Sequence, residues 1–151
     1  ELVMAGEAMK AAIAVLEPAM MASGVTRQVL GTVVLATVEG DIHEIGKTLV
    51  GTMLTSSGFK VYDMGVDVPT ADLIAKAEEV GADIIGLSAL LTTTMIKQKE
   101  VVDEIAKRGL KVMVMVGGAP VTKEWVQRIE ADGYSEDAIG AVSVAKELMG
   151  L

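Results

Sequence analysis

No cysteine occurs among the 151 residues, and there is a single histidine, His43. The first absence excludes disulfides, thiolate metal sites and cysteine nucleophiles; the second excludes a cage of several histidines around a metal. Positive charge is scarce too, with 13 Lys and Arg against 21 Asp and Glu and a net charge of −8. Such a chain repels a phosphate backbone and offers no basic stripe, so no nucleic-acid partner is expected. Long apolar runs are also missing. The segment Lys10 to Met21 is interrupted by Glu17 and Pro18, and no uncharged stretch approaches membrane-spanning length. The expectation is a soluble, cytoplasmic protein with no membrane partner.

What is present fills one ordinary domain with a substantial core, and therefore one site. The chain opens on an amphipathic, Met-rich helix, which Pro18 is expected to kink or end, followed by a turn at Ser23-Gly24. Thr32–Val38 (TVVLATV) is a continuous β-branched run that reads as a buried strand. Ile45, Leu49, Val50, Met53 and Leu54 keep helical spacing up to Gly58, and Lys60–Met64 is the next strand. Thr70 is expected to cap a helix through Val80, closed by Gly81. Strands at Asp83–Ser88 and Lys111–Val116 flank a helix around Met95–Arg108; a helix over Thr122–Ala131, a short strand at Gly133-Tyr134 and a final helix to Met149 follow.

This alternation predicts an α/β fold, a five-stranded, doubly wound parallel sheet of flavodoxin-like (Rossmann-like) order with helices on both faces. Ligands of such sheets bind outside the carboxyl ends of the strands. The unusual residues lie there: GDIHEIG after the first strand, SALLTTT after the third, GGAP after the fourth.

Gly46-Lys47-Thr48 resembles the end of a phosphate-binding loop, but five residues, Asp41 to Ile45, separate it from Gly40 where that loop has four. Two of them, Asp41 and Glu44, are carboxylates that repel phosphate. No G-x-G-x-x-G occurs either, which removes the dinucleotide fingerprint. His43 then reads in two ways. Asp41 orients its ring as a carboxylate orients a metal-binding histidine, or Asp41 caps the next helix and His43 is a solvated first-turn residue. Ser88, Thr92 and Thr94 are either loop hydroxyls that cap a helix or part of a ligand site. Gly117-Gly118 is a turn or a place where a bulky ligand passes close to the backbone.

Three motifs in order, Asp41-Ile-His43-Glu-Ile-Gly46, Ser88-Ala-Leu90 and Gly117-Gly118, resemble those of the cobalamin-binding domain of corrinoid methyl-transfer proteins. The likeness covers about Val29 to Met149, including GFKVYDMGVDVP and GYSEDA. It implies a cobalamin cofactor bound with its own dimethylbenzimidazole base displaced and His43 on the cobalt. Asp41 and Thr94 would continue a proton relay from His43, making these three the working residues. Glu44, Ile45, Gly46, Ser88, Leu90, Thr92, Gly117 and Gly118 would surround the cofactor and its nucleotide tail. Residues 1–26 would be the last helix of a truncated N-terminal helical cap, with Met4, Met9, Met20 and Met21 as candidate contacts, and 27–151 the cobalamin domain.

The function implied is a methyl shuttle, a non-catalytic subunit working between a donor-specific methyltransferase and an acceptor methyltransferase that uses tetrahydrofolate or a thiol carrier, maintained by a reductive activase. Two alternatives remain: the cobalamin domain of an adenosylcobalamin mutase, whose loop typically reads Asp-Gly-His-Asp-Arg-Gly, and a cobalamin-sensing regulatory module.

Overall fold

The computed structural model describes residues 2–22 and 28–151. The Ser23-Gly24 turn and the side chains of Met20 and Met21 lie outside the described residues. In chain order the elements are α1 (Leu2–Ala22), β1 (Thr32–Thr37), α2 (Ile45–Ser56), β2 (Lys60–Asp63), α3 (Thr70–Val80), β3 (Ile84–Ser88), α4 (Ile96–Arg108), β4 (Met113–Gly117), α5 (Lys123–Ile129), β5 (Gly133–Tyr134) and α6 (Ala138–Leu148).

All strand pairs are parallel, in the order β2-β1-β3-β4-β5. The central strands are apolar over most of their length because both faces are covered. Val34, Ala36, Ile85, Leu87, Val114 and Val116 turn to one side and pack with Leu73 and Ile74 of α3, Val101 and Ile105 of α4, and Val126 and Ile129 of α5. Their neighbours Val33, Ile84 and Met115 turn to the other side, onto Leu54 of α2 and Ala141 and Ala145 of α6. α1 reaches this second layer through the buried Gly6, where a Cβ would sit 3.1 Å from Thr52 Cγ2 of α2. Among the described residues no helix is long and apolar enough to cross a membrane.

The elements follow the sequence expectations with local differences. α1 does not end at Pro18 but runs to Ala22. Pro18 and Ala14, whose carbonyl loses its helical partner, are both exposed, so water can take that bond. Thr70 does not cap α3; Pro69 holds the cap position at φ −61°, ψ 146°, and Thr70 is the first helical residue. Asp83 falls just outside β3, where its carboxylate accepts from the Thr32 amide at 2.8 Å and closes the start of β1. Lys111 and Val112 likewise precede β4 rather than begin it. α5 is shorter than expected: the Thr122 side chain caps it by accepting from Trp125 N, and Glu130, in the left-handed region, ends it.

The strand order reverses between β1 and β3, so the loops leaving these two strands diverge and open a crevice at the carboxyl edge. That crevice receives the three unusual loops.

Candidate functional site

The loop after β1 is built around one buried carboxylate. Asp41 is 1% exposed. Its Oδ1 accepts from His43 N at 3.1 Å and faces His43 Nδ1 at 2.7 Å; its Oδ2 accepts from Leu90 N at 2.8 Å and Thr94 Oγ1 at 2.6 Å. Burial disfavours its charge, but the bonds from the Thr94 hydroxyl, the Leu90 amide and the ring and amide of His43 outweigh that and hold Asp41 well below the usual carboxylate range. An ionised carboxylate only accepts, so Nδ1 must be the donor, and the imidazole is left with its lone pair on Nε2. Among the described residues nothing hydrogen-bonds to Nε2. The helix-cap reading of Asp41 is thereby excluded: Glu44 occupies the cap position of α2 and makes no side-chain cap bond.

The His43 side chain, 45% exposed, stands at the mouth of a cavity of about 700 Å³. Buried Leu35, Gly86, Met115 and Ala141 form its apolar wall, and exposed Ile42 and Ile45 flank His43. Glycine makes the space. A Cβ on Gly86 would lie 2.7 Å from Leu35 Cδ1, whereas one on Gly46 would meet nothing within 4 Å, so this residue leaves the mouth open. Gly118, at φ +131°, brings the β4 loop against the β3 loop; a Cβ there would be 1.7 Å from the carbonyl oxygen of Ala89. The Gly118→Ala protein is accordingly expected to lose about 3 kcal/mol, from overpacking and an unfavourable φ. A urea-unfolding midpoint equal to that of the parent would show that the two loops are not locked together.

Of the residues singled out in the sequence, His43, Glu44, Ile45, Gly46, Ser88, Leu90, Gly117 and Gly118 line the cavity. Asp41 and Thr94 sit buried behind His43, and Thr92 is exposed and does not line the cavity. The apparent phosphate-loop lysine is committed elsewhere: the Lys47 side chain is 1% exposed and its Nζ pairs with Asp63 Oδ1 at 2.5 Å.

Other residues of the site were not singled out in the sequence. Thr37, fully buried at the end of β1, donates its hydroxyl to the His43 carbonyl at 2.7 Å. Asp67, at φ +51°, accepts from Gly40 N through Oδ1 at 2.7 Å and donates its own amide to Asp41 O at 2.9 Å. Gln98, fully buried, donates to the carbonyls of Leu87 and Gly117 and accepts from Trp125 Nε1, tying the ends of β3 and β4 together from the opposite face. Ser135, Glu136, Asp137 and Ala138 complete the cavity; they fall in the GYSEDA stretch, whose resemblance was the one available pointer.

The donor set limits what this arrangement can hold. Among the described residues no cluster of three or more His, Cys, Asp or Glu exists to cage a bare ion. One oriented imidazole beside a deep apolar cavity suits a metal that arrives with its other ligands in a macrocycle and carries a bulky appendage. Fold and site together define a corrinoid-binding domain.

The chain belongs to the B12 binding domain family, whose model matches residues 31–143. Cobalamin is its cofactor. The chain is 52% identical over 148 residues to the dimethylamine corrinoid protein of Methanosarcina barkeri, covering 97% of this chain and 69% of that protein. Its fold is similar to the crystal structure of a cobalamin-binding protein from Desulfitobacterium hafniense (TM-score 0.82, 39% identity, 97% of this chain and 69% of that one). It is also similar to the methanol:cobalamin methyltransferase complex of Methanosarcina barkeri (TM-score 0.82, 34% identity, 89% of this chain and 52% of that one).

Proposed function

We propose that this chain is a corrinoid methyl carrier that holds cobalamin with the cofactor's own base displaced and His43 on the cobalt. The observation that carries the reading is the Asp41–His43 pair, which leaves Nε2 unpartnered among the described residues at the mouth of a large apolar cavity. When bound, the corrinoid supplies a cobalt centre that accepts a methyl group from one partner and releases it to another.

The chain's own residues bind, orient and hold protons. Asp41 fixes the Nδ1–H tautomer of His43, and the Thr94 hydroxyl supports Asp41. These three form the control on the lower ligand. Gly46, Ser88, Leu90, Gly117 and Gly118 accommodate the displaced nucleotide tail, with Glu44 and Ile45 at the mouth. Thr92 is left out of this set because it does not line the cavity. α1, which exposes Met4 and Met9, is assigned to a helical cap on the cofactor, and residues 27–151 to the cobalamin domain.

A donor-specific methyltransferase is the partner that the likeness to the methanol:cobalamin methyltransferase complex supports. The further partners in this proposal are an acceptor methyltransferase using tetrahydrofolate or a thiol carrier and a reductive activase, all in the cytoplasm. The test is to co-purify the partner methyltransferase and offer the reduced holoprotein methylamines, methanol and aryl methyl ethers in turn. One donor class is expected to change the absorption spectrum of the bound cofactor to that of its methylated form. No spectral change with any methyl donor in the presence of the co-purified partner would contradict the carrier role.

A further inference from the structure

Thr37 is the last residue of β1, and its side chain is fully buried. Its hydroxyl reaches past the loop's first turn to the main-chain carbonyl of His43, 2.7 Å away and six residues on. The rest of the loop is fixed by other means. Gly40 and Asp41 are braced by Asp67 on one side, and the Asp41 carboxylate is clamped by Leu90 and Thr94 on the other. Every other hydrogen bond given to His43 among the described residues, from its amide and from its ring, runs to Asp41 Oδ1. Thr37 is thus the one tie on His43 that does not pass through Asp41.

This separation has a mechanical consequence. A ring that is to be presented to a metal needs a backbone that does not drift, or Nε2 would not be offered at one place. Asp41 holds the ring. Thr37 holds the peptide. A buried hydroxyl donating to a carbonyl on an exposed loop is also hard to explain as packing alone, since valine would fill the same volume at the end of an apolar strand without a polar group to satisfy.

We propose that Thr37 is a positioning residue for the cobalt ligand, anchoring the His43 backbone so that Nε2 is presented at a fixed height above the cavity. The inference rests on the assignment of His43 as that ligand. The comparison is between Thr37→Val, which deletes the hydroxyl at constant shape, and Thr37→Ser, which keeps it. Thr37→Ala replaces valine if the second methyl does not pack.

With cobalamin at saturation and reduced to Co(II), electron paramagnetic resonance of nitrogen-15-histidine-labelled protein measures how much of the cofactor carries a histidine nitrogen. Thr37→Val is expected to lower the ratio of histidine-bound to histidine-free cofactor about five-fold, the factor corresponding to the net worth of one hydrogen bond. Thr37→Ser is expected to stay at the parent ratio. In the cofactor-free proteins, the His43 amide is expected to exchange with solvent about five-fold faster in Thr37→Val only, for the same reason. A parent-like ratio and exchange rate in Thr37→Val, or an equal loss in Thr37→Ser, would overturn the positioning role while leaving the ligand assignment intact. Absence of any histidine nitrogen on cobalt in the parent protein would instead overturn the ligand assignment, and this role with it.

Discussion

His43→Ala protein is expected to bind cobalamin with no protein nitrogen on the cobalt and to hold it at least about 10-fold more weakly, since even residues that only support a metal ligand are worth that much. The fold is expected to survive. His43 is half-exposed on a loop outside both core clusters, and Asp41 keeps its bonds from Leu90, Thr94 and the amide of residue 43 when the ring is removed. The unfolding free energy is expected to fall by about 1.5 kcal/mol, the worth of the one ring hydrogen bond to the charged Asp41 that is lost. Some affinity remains because the cavity wall contributed by Leu35, Gly86, Met115 and Ala141 is untouched. Absorption spectra of bound cobalamin compared between the two proteins make the check; identical spectra would remove His43 from the cobalt.

Asp41→Ala produces the opposite pattern, a large loss of stability. Here a buried charge with four hydrogen bonds disappears; the Leu90 amide and the amide and ring of His43 lose their acceptor, and the Thr94 hydroxyl keeps only the Leu91 carbonyl. The expected cost is about 3 kcal/mol, in the range for breaking a buried, fully satisfied charged network. Asp41→Asn retains one oxygen but turns an NH₂ toward donors, and is expected to lose nearly as much.

The pH dependence distinguishes this from lost packing. The folded-state pKa of Asp41 is lowered from the ordinary value of 3.8, so its stabilisation is fully present above that value and is lost as pH falls through the depressed folded one. The stability gap between parent and Asp41→Asn is therefore expected to be flat from neutrality down to about pH 4 and to close only in stronger acid. Urea midpoints across that range test it, and a gap that closed near neutral pH would mean that Asp41 is not ionised in the way its bonds require.

The parts of this structure that the sequence reveals are those governed by local chemistry. The central strands are legible because burial on both faces makes a continuous run, as in Val33 to Ala36, and the helices because Gly81 and Gly109 end α3 and α4 in the left-handed conformation that glycine favours. The Asp41–His43 pair is legible as a candidate because two residues apart is close enough for one loop to join them. Contacts between distant segments are not legible from composition or spacing. Thr94 lies 53 positions from the carboxylate it supports, and Asp67 lies 27 from Gly40; for Thr94 only the family resemblance pointed to the relation, and for Asp67 nothing did. Thr37 is hidden for a different reason, because a threonine inside a β-branched run looks like strand material. Composition and spacing do not separate Thr92 from Thr94, and the turn between β3 and α4 leaves one exposed and buries the other. Lys47 shows the converse error: a Gly-Lys-Thr suggests phosphate until Asp63 is found beside the lysine.

The most direct test of the central claim is the electron paramagnetic resonance spectrum of the Co(II) cofactor in the parent protein, with and without nitrogen-15 in its single histidine. A nitrogen hyperfine pattern that changes with the label is expected, because Nε2 of His43 would take the place of the cofactor's own base. A pattern unchanged by the label would mean that the base or no nitrogen at all sits on the cobalt, and that His43 has another purpose.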